Sequence, residues 1–189
     1  IIGHLGTTAL AGLGVASAAL VTAAGIFVFL AYGTTSLVAR RIGAGDRPGA
    51  ISVGVDGLWL ALVLGLTTAV LLAAFAPAVA SVFGASPAAL EQAVVYLRIA
   101  AFGLPGMLVV LAVTGVLRGL QDTRTPLVVS IGGFTINAAL NLLFVNGFHW
   151  GIAGSAWGTF IAQSLMGVVM VVVLVRAARH NHVPLAPHV

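Results

Sequence analysis

The chain has 189 residues, 60% of them hydrophobic and 6% charged, with a mean hydropathy of +1.16. Soluble domains carry about a quarter charged residues, so a soluble globular domain is excluded. Its 8 basic residues, all arginine, face 4 acids; scattered through so apolar a chain they build no basic face, and nucleic acid is excluded as a partner. Cysteine is absent, which removes disulfides, thiolate metal sites and cysteine nucleophiles.

The chain opens at Ile1 with no initiator Met and reads as a fragment. Ile1 to Ala39 carries no charged side chain, well beyond the roughly 20 residues that cross a bilayer, and predicts a helix over 7–40. Gly43-Ala44-Gly45-Asp46-Arg47-Pro48-Gly49 follows. It carries the glycines of a nucleotide loop, but it follows a helix instead of a strand, and Pro48 stands where the third glycine of G-x-G-x-x-G belongs. A tight turn anchored by arginine on each side accounts for it. The second predicted helix covers 48–83, bent or broken near Pro77. Asp56 lies about 12 Å along it, where snorkelling to water and a buried role are both open.

Ser86 before Pro87 is an N-cap signal that starts a third helix over 87–118. Pro105 predicts a kink, softened further by Gly103 and Gly106. Arg98 sits about 16 Å along this helix on a face similar to that of Glu91, as a stabilising pair or in a solvated outer vestibule. Thr125 to Val175 is uncharged and as one helix would reach about 76 Å, against a bilayer core of about 30 Å, so it must fold back. The break falls at Asn146 to Gly151, giving helices over 125–146 and 151–178. His149, beside Trp150, reads as an interface residue. His180, Asn181 and His182 have no carboxylate partner nearby and read as part of a solvated tail or inter-lobe linker over 180–189.

Seven of the eight arginines fall in loops 40–47, 118–124 and 176–179 on one side, so that side is expected to be cytoplasmic. The first residue then lies outside, and one further helix upstream would bring the chain across. The fold class is therefore all-α: a multi-pass transmembrane bundle of five spanning helices.

Polar residues inside the spans follow helical spacing. Ser130, Asn137 and Asn141 share a face of the fourth helix, with Asn137 roughly 16 Å deep and Asn141 roughly 22 Å. On the fifth, Gly154, Gly158 and Ala162 form a small face beside Ser155, Thr159, Gln163 and Gly167. Small faces let membrane helices pack closely, whereas hydroxyls and amides in line either hydrogen-bond a neighbour or border a hydrated cavity. The short hairpin puts Asn141 and Thr159 at similar depth, about 8 to 12 Å below the outer turn. No Ser/His/Asp cluster, paired carboxylates or metal-ligand spacing lies within the helices, so no enzyme and no cofactor is expected.

Several segments in order carry a resemblance: Ile1-Ile2-Gly3-His4-Leu5-Gly6 with Ala9-Leu10-Ala11-Gly12-Leu13-Gly14, Val38-Ala39-Arg40-Arg41-Ile42-Gly43-Ala44-Gly45-Asp46, Tyr96-Leu97-Arg98-Ile99, Gly115 to Pro126, Asn137 to Asn141, and Gly151 to Ala156. Together they resemble the multidrug and toxic compound extrusion family, most of all its DinF-like branch. The resemblance implies that residues 1–179 are a partial amino-terminal lobe, five of its six helices, in a twelve-helix antiporter of the cell (inner) membrane. Such a protein exports organic cations or amphipathic drugs in exchange for protons or sodium ions. It would need the missing upstream helix and a carboxy-terminal lobe. The family's cavity residues map onto Asn137 and Asn141 of the fifth lobe helix, Thr159 of the sixth and Tyr96 of the fourth; Gln163 joins them through the polar face. Asn141 stands where some members have Asp, and the family's first-helix acid would lie upstream of Ile1. Two rivals stand beside this reading: a lipid-linked saccharide flippase of the wider superfamily, which calls for a more charged cavity, and a non-transporting structural subunit, in which the polar residues only pack.

Overall fold

In the computed structural model, residues 6–84 and 86–187 are described. Five helical rods are long and apolar enough to cross a membrane: Thr7–Gly43, Arg47–Ala74, Pro87–Gly119, Arg124–Gly147 and Gly151–His180. The described residues contain no strand, and this is a multi-pass helical membrane protein.

The first rod is not the continuous helix expected over 7–40. It divides into α1 (Thr7–Ile26) and α2 (Phe29–Gly43). Around the break the backbone bonds tighten to three-residue spacing, Phe27 N–H to the Ala24 carbonyl at 3.0 Å and Val28 N–H to Gly25 at 3.2 Å, then Leu30 to Phe27 and Ala31 to Val28 at 2.9 and 3.0 Å. No proline marks this site. Its effect is tertiary: α1 packs on one half of the third rod and α2 on the other.

The turn into α3 (Arg47–Ala74) is built as expected. Gly45 takes φ +77°, a conformation that costs glycine little. The Asp46 carboxylate accepts the Gly49 N–H at 2.8 Å and pairs with Arg41 at 2.8 Å. It therefore caps the helix while bracing the turn. The backbone bond from Gly49, then the Arg41 guanidinium, hold the Asp46 carboxyl below the usual carboxylate range.

The expected break near Pro77 falls at Phe75, between α3 and the short α4 (Ala76–Val82). Ser86 caps α5 (Pro87–Ala100) through the Ala89 N–H, at 3.4 Å. The third rod then passes through a 3₁₀ turn, Ala101–Gly103, into α6 (Leu104–Gly119). Proline at 105 lacks an N–H and would crowd the carbonyl of residue 101, so the disruption lies one turn before the proline itself.

The fourth rod is α7 (Arg124–Asn141) followed by a π-helical turn, Leu142–Gly147, and the last is α8 (Gly151–His180). Asp122 starts α7: its carboxylate accepts the Arg124 and Thr125 N–H groups at 3.0 Å and the Thr125 hydroxyl at 2.6 Å. Those bonds, the Thr125 hydroxyl foremost, hold its pKa down as well.

The core comes in two blocks, stacked along the rods and meeting near the level of the breaks. One gathers Ala16, Ala19, Ala69, Ala93, Tyr96, Leu97, Ala100 and Ala156 from α1, α3, α5 and α8. The other gathers Leu30, Val38, Leu58, Leu108, Val113, Val116, Met170 and Leu174 from α2, α3, α6 and α8. Lipid tails are as apolar as these side chains, so close packing and interhelical hydrogen bonds must hold the rods together. Both are present where α2 crosses α6. The Thr34 and Thr35 hydroxyls, each 2.6 Å from a carbonyl of their own helix, also reach across to the Ala112 carbonyl at 3.2 Å and the Gly115 carbonyl at 3.0 Å as second acceptors. A Cβ on Gly115 would overlap Thr34 Oγ1 and the Ala31 carbonyl.

The segment read as a solvated tail or inter-lobe linker is partly docked. Val183 is buried against Ile51, Val55 and Ala178, and the Trp59 indole donates to the Leu185 carbonyl at 2.9 Å. His180 and His182 are exposed. Of the two readings left open for Arg98, the pair with Glu91 does not form: Arg41–Asp46 is the ion pair among the described residues, and both Glu91 and Arg98 are exposed.

Candidate cavity site

α8 is the middle helix of a layer, with α7 on one flank and α5 on the other. The α7 contact follows from the small face of α8: Cβ atoms on Gly154 and Gly158 would come to 3.0 Å from Phe144 and 3.1 Å from the Asn141 amide nitrogen. On one side of this layer, polar groups from all three helices converge. The Tyr96 and Thr159 hydroxyls lie 2.9 Å apart, and Thr159 donates to the Ser155 carbonyl at 3.0 Å. The Asn137 amide reaches the Thr159 hydroxyl at 3.4 Å. The Asn141 amide donates to the Asn137 carbonyl at 2.9 Å and to its side-chain oxygen at 3.2 Å.

Tyr96 and Asn141 are buried, whereas Asn137 and Thr159 are half-buried. The chain of bonds thus has both ends, Tyr96 and Asn141, in the core and its middle, Thr159 and Asn137, partly exposed. Nothing in it carries charge, since two amides and two hydroxyls change charge nowhere near neutral pH. It offers carbonyl and hydroxyl oxygens to a cation, or donors and acceptors to a carboxylic acid.

Four of the five residues singled out from sequence, Tyr96, Asn137, Asn141 and Thr159, are therefore joined. Gln163 is not. One turn beyond Thr159, its amide nitrogen points to the Met107 sulfur at 3.8 Å. Its backbone carbonyl lies 2.5 Å from where a Cβ on Gly106 would sit, and its side-chain oxygen fills the space beside Gly103. The glycines around Pro105 make a seat for Gln163, and sequence spacing does not reveal that a neighbouring helix has opened there. Ser155 joins the network through its backbone carbonyl, a role that leaves no mark in sequence. The π-helical turn begins at Leu142, directly after Asn141; such turns are rare in helices and frequent at functional positions.

Five apolar spanning rods carrying a partly buried polar chain define the class: a multi-pass helical membrane protein. Residues 1–143 match the sequence profile of the MatE family. The chain belongs to that family, whose members are transporters and not enzymes. It is 33% identical to DNA damage-inducible protein F of Escherichia coli over 90% of its own length and 38% of that protein's. It is 31% identical to a probable multidrug resistance protein NorM of Pseudomonas aeruginosa, over 89% of this chain and 35% of the relative. Among solved structures, a MATE transporter in the bent conformation superimposes with a TM-score of 0.88 at 26% identity, covering 98% of this chain and 41% of the other. The chain thus spans about two fifths or less of the proteins it matches, and the MatE resemblance read from the motifs is confirmed.

Proposed function

We propose that this chain is most of the amino-terminal lobe of a drug or organic-cation antiporter of the cell membrane, working by alternating access together with an upstream helix and a second lobe. The Tyr96–Thr159–Asn137–Asn141 chain carries the proposal, because three helices bring neutral hydrogen-bonding groups to one depth where packing alone would be served by apolar side chains. In this reading it forms the wall of an ion and substrate cavity. A carboxylate from the upstream helix would complete it, binding a proton or sodium ion in competition with substrate. Loops 40–47, 118–124 and 176–179 face the cytoplasm. The multidrug-resistance relatives favour drug export over saccharide flipping, and the uncharged cavity wall agrees.

The test is export by the protein together with its second lobe, in vesicles. Asn137→Leu and Asn141→Leu should each lower drug efflux while membrane insertion is unchanged. Unaltered efflux in both would leave the network a packing device and overturn the cavity assignment.

A further inference from the structure

The α5–α8–α7 layer has a second side, and it carries a different chemistry. Arg98 and Trp157 each lie two residues from a member of the polar chain, Tyr96 or Thr159, and so about 200° around their helices. Here Arg98, Ile99 and Phe102 of the third rod and Trp157 and Phe160 of α8 line a concavity of about 320 Å³. A second of about 360 Å³, lined by Phe144, Trp150, Trp157 and Ile161, adjoins it through Trp157. The rings form two clusters: Phe144 and Trp150 stacked at 5.3 Å with Phe148 5.6 Å from Trp150, and Trp157 edge-on to Phe160 at 5.6 Å.

Arg98 is exposed, and among the described residues no hydrogen bond or ion pair engages it. No acid lines either concavity. A guanidinium roughly 16 Å along a spanning helix is costly without a partner. Side chains on a helix lean toward its N-terminus, which for α5 is the end near Pro87, so Arg98 reaches back toward the level of Trp157 and away from the bilayer centre. Trp150 and Phe148, at the hairpin, lie where aromatic side chains meet head groups.

We propose that this face seats one anionic phospholipid of the surrounding leaflet. Its phosphate takes the Arg98 guanidinium, its head group lies against the Phe144–Trp150 stack, and an acyl chain continues past Phe160 and Phe102. Charge complementarity selects the occupant: the residues lining the groove offer one cation, apolar walls and no acid, and Glu91 lies two turns nearer the helix start. The proposal rests on the groove and Arg98 alone, and transport plays no part in it.

The binding experiment is independent of export. The protein, delipidated in detergent, is titrated with phosphatidylglycerol or phosphatidylcholine, and retained lipid is counted by native mass spectrometry. Phosphatidylglycerol should be retained about fivefold better, as expected for one arginine near a lipid phosphate. Arg98→Leu should lose one phosphatidylglycerol per chain, and Arg98→Lys should keep it. Should Arg98→Leu fail to fold, Trp59→Phe leaves Trp150 and Trp157 as reporters, and brominated phosphatidylglycerol should quench them more than brominated phosphatidylcholine does. Equal retention of the two lipids, equal quenching by them, or an anionic preference that survives Arg98→Leu would overturn the site, including the case in which another part of the protein covers Arg98.

Discussion

Asn141 is buried, yet its amide is held by a single neighbour, Asn137, one turn back on the same helix. This bond stays within α7 and ties no second rod, and even interhelical hydrogen bonds in membranes average only about 0.6 kcal/mol, so losing one polar group here should cost little stability. The network is thus free to be judged by function. Asn141→Asp should add a titratable group to a wall that has none, and the efflux-versus-pH profile should gain an inflection missing from the parent. An unchanged profile would place Asn141 outside the ion path.

At the membrane surface, Asp46 and Asp122 each hold a helix start, and both carboxyls sit below the usual range because the charged form receives hydrogen bonds. A depressed folded pKa adds stability that is present above the ordinary carboxylate value and is lost as pH falls from there through the folded value. Thermal unfolding in detergent should therefore be insensitive to these groups near neutrality and weaken in acid; Asp46→Asn with Asp122→Asn should flatten that acid limb. Asp122→Ala should cost about 1 kcal/mol near neutrality, the usual worth of a cap.

Among elements, the α2–α6 crossing depends on a missing side chain. Gly115→Ala should weaken folding by about 1–3 kcal/mol, since the added methyl overlaps Thr34 and the Ala31 backbone and overpacking costs that much. Gly132→Ala is the internal control. Nothing lies within 4 Å of its would-be Cβ, and a helix gains up to about 1 kcal/mol from the exchange. Melting temperatures of the two variants should move in opposite directions.

The broken rods differ in how readable they are. Pro77 and Pro105 announce their breaks, because proline removes a donor whatever surrounds it. The α1–α2 break and the π-helical turn have no such marker. The first lets one rod serve two packing partners, α5 and α6, and the second follows from how the chain must approach the Phe148–Trp150 turn, where Phe148 N–H bonds back five residues to Leu143 at 2.9 Å. Both are settled by neighbours.

For the whole molecule, orientation is the open property with the simplest test. These 189 residues hold no cysteine, so single cysteines at Gly45, Asp122 and Gly147 each add one labelling site to them. The first two should label from the cytoplasmic side and the third only from outside; the reverse would invert the topology.

The sequence by itself determined the number of spans, the hairpin at Asn146 to Gly151 and the family, because bilayer thickness, proline and glycine chemistry and motif order act locally along the chain. It also placed Asn137 and Asn141 on one face, and Asn141 and Thr159 at similar depth, by counting residues along the helices. Tertiary structure decided which polar groups meet. Tyr96 enters the network because α5 lies against α8, Gln163 leaves it because the 3₁₀ turn at Ala101–Gly103 and Gly106 open a seat for it, and Arg98, for which the spacing left a Glu91 pair or a solvated vestibule open, lines an aromatic groove. The tail over 181–187 is likewise held by Val183 and by Trp59, far back in sequence. Helical periodicity says which side chains share a face, but the partner of that face is set by packing between rods distant in the chain, where shape and small residues choose among neighbours that hydrophobicity cannot tell apart.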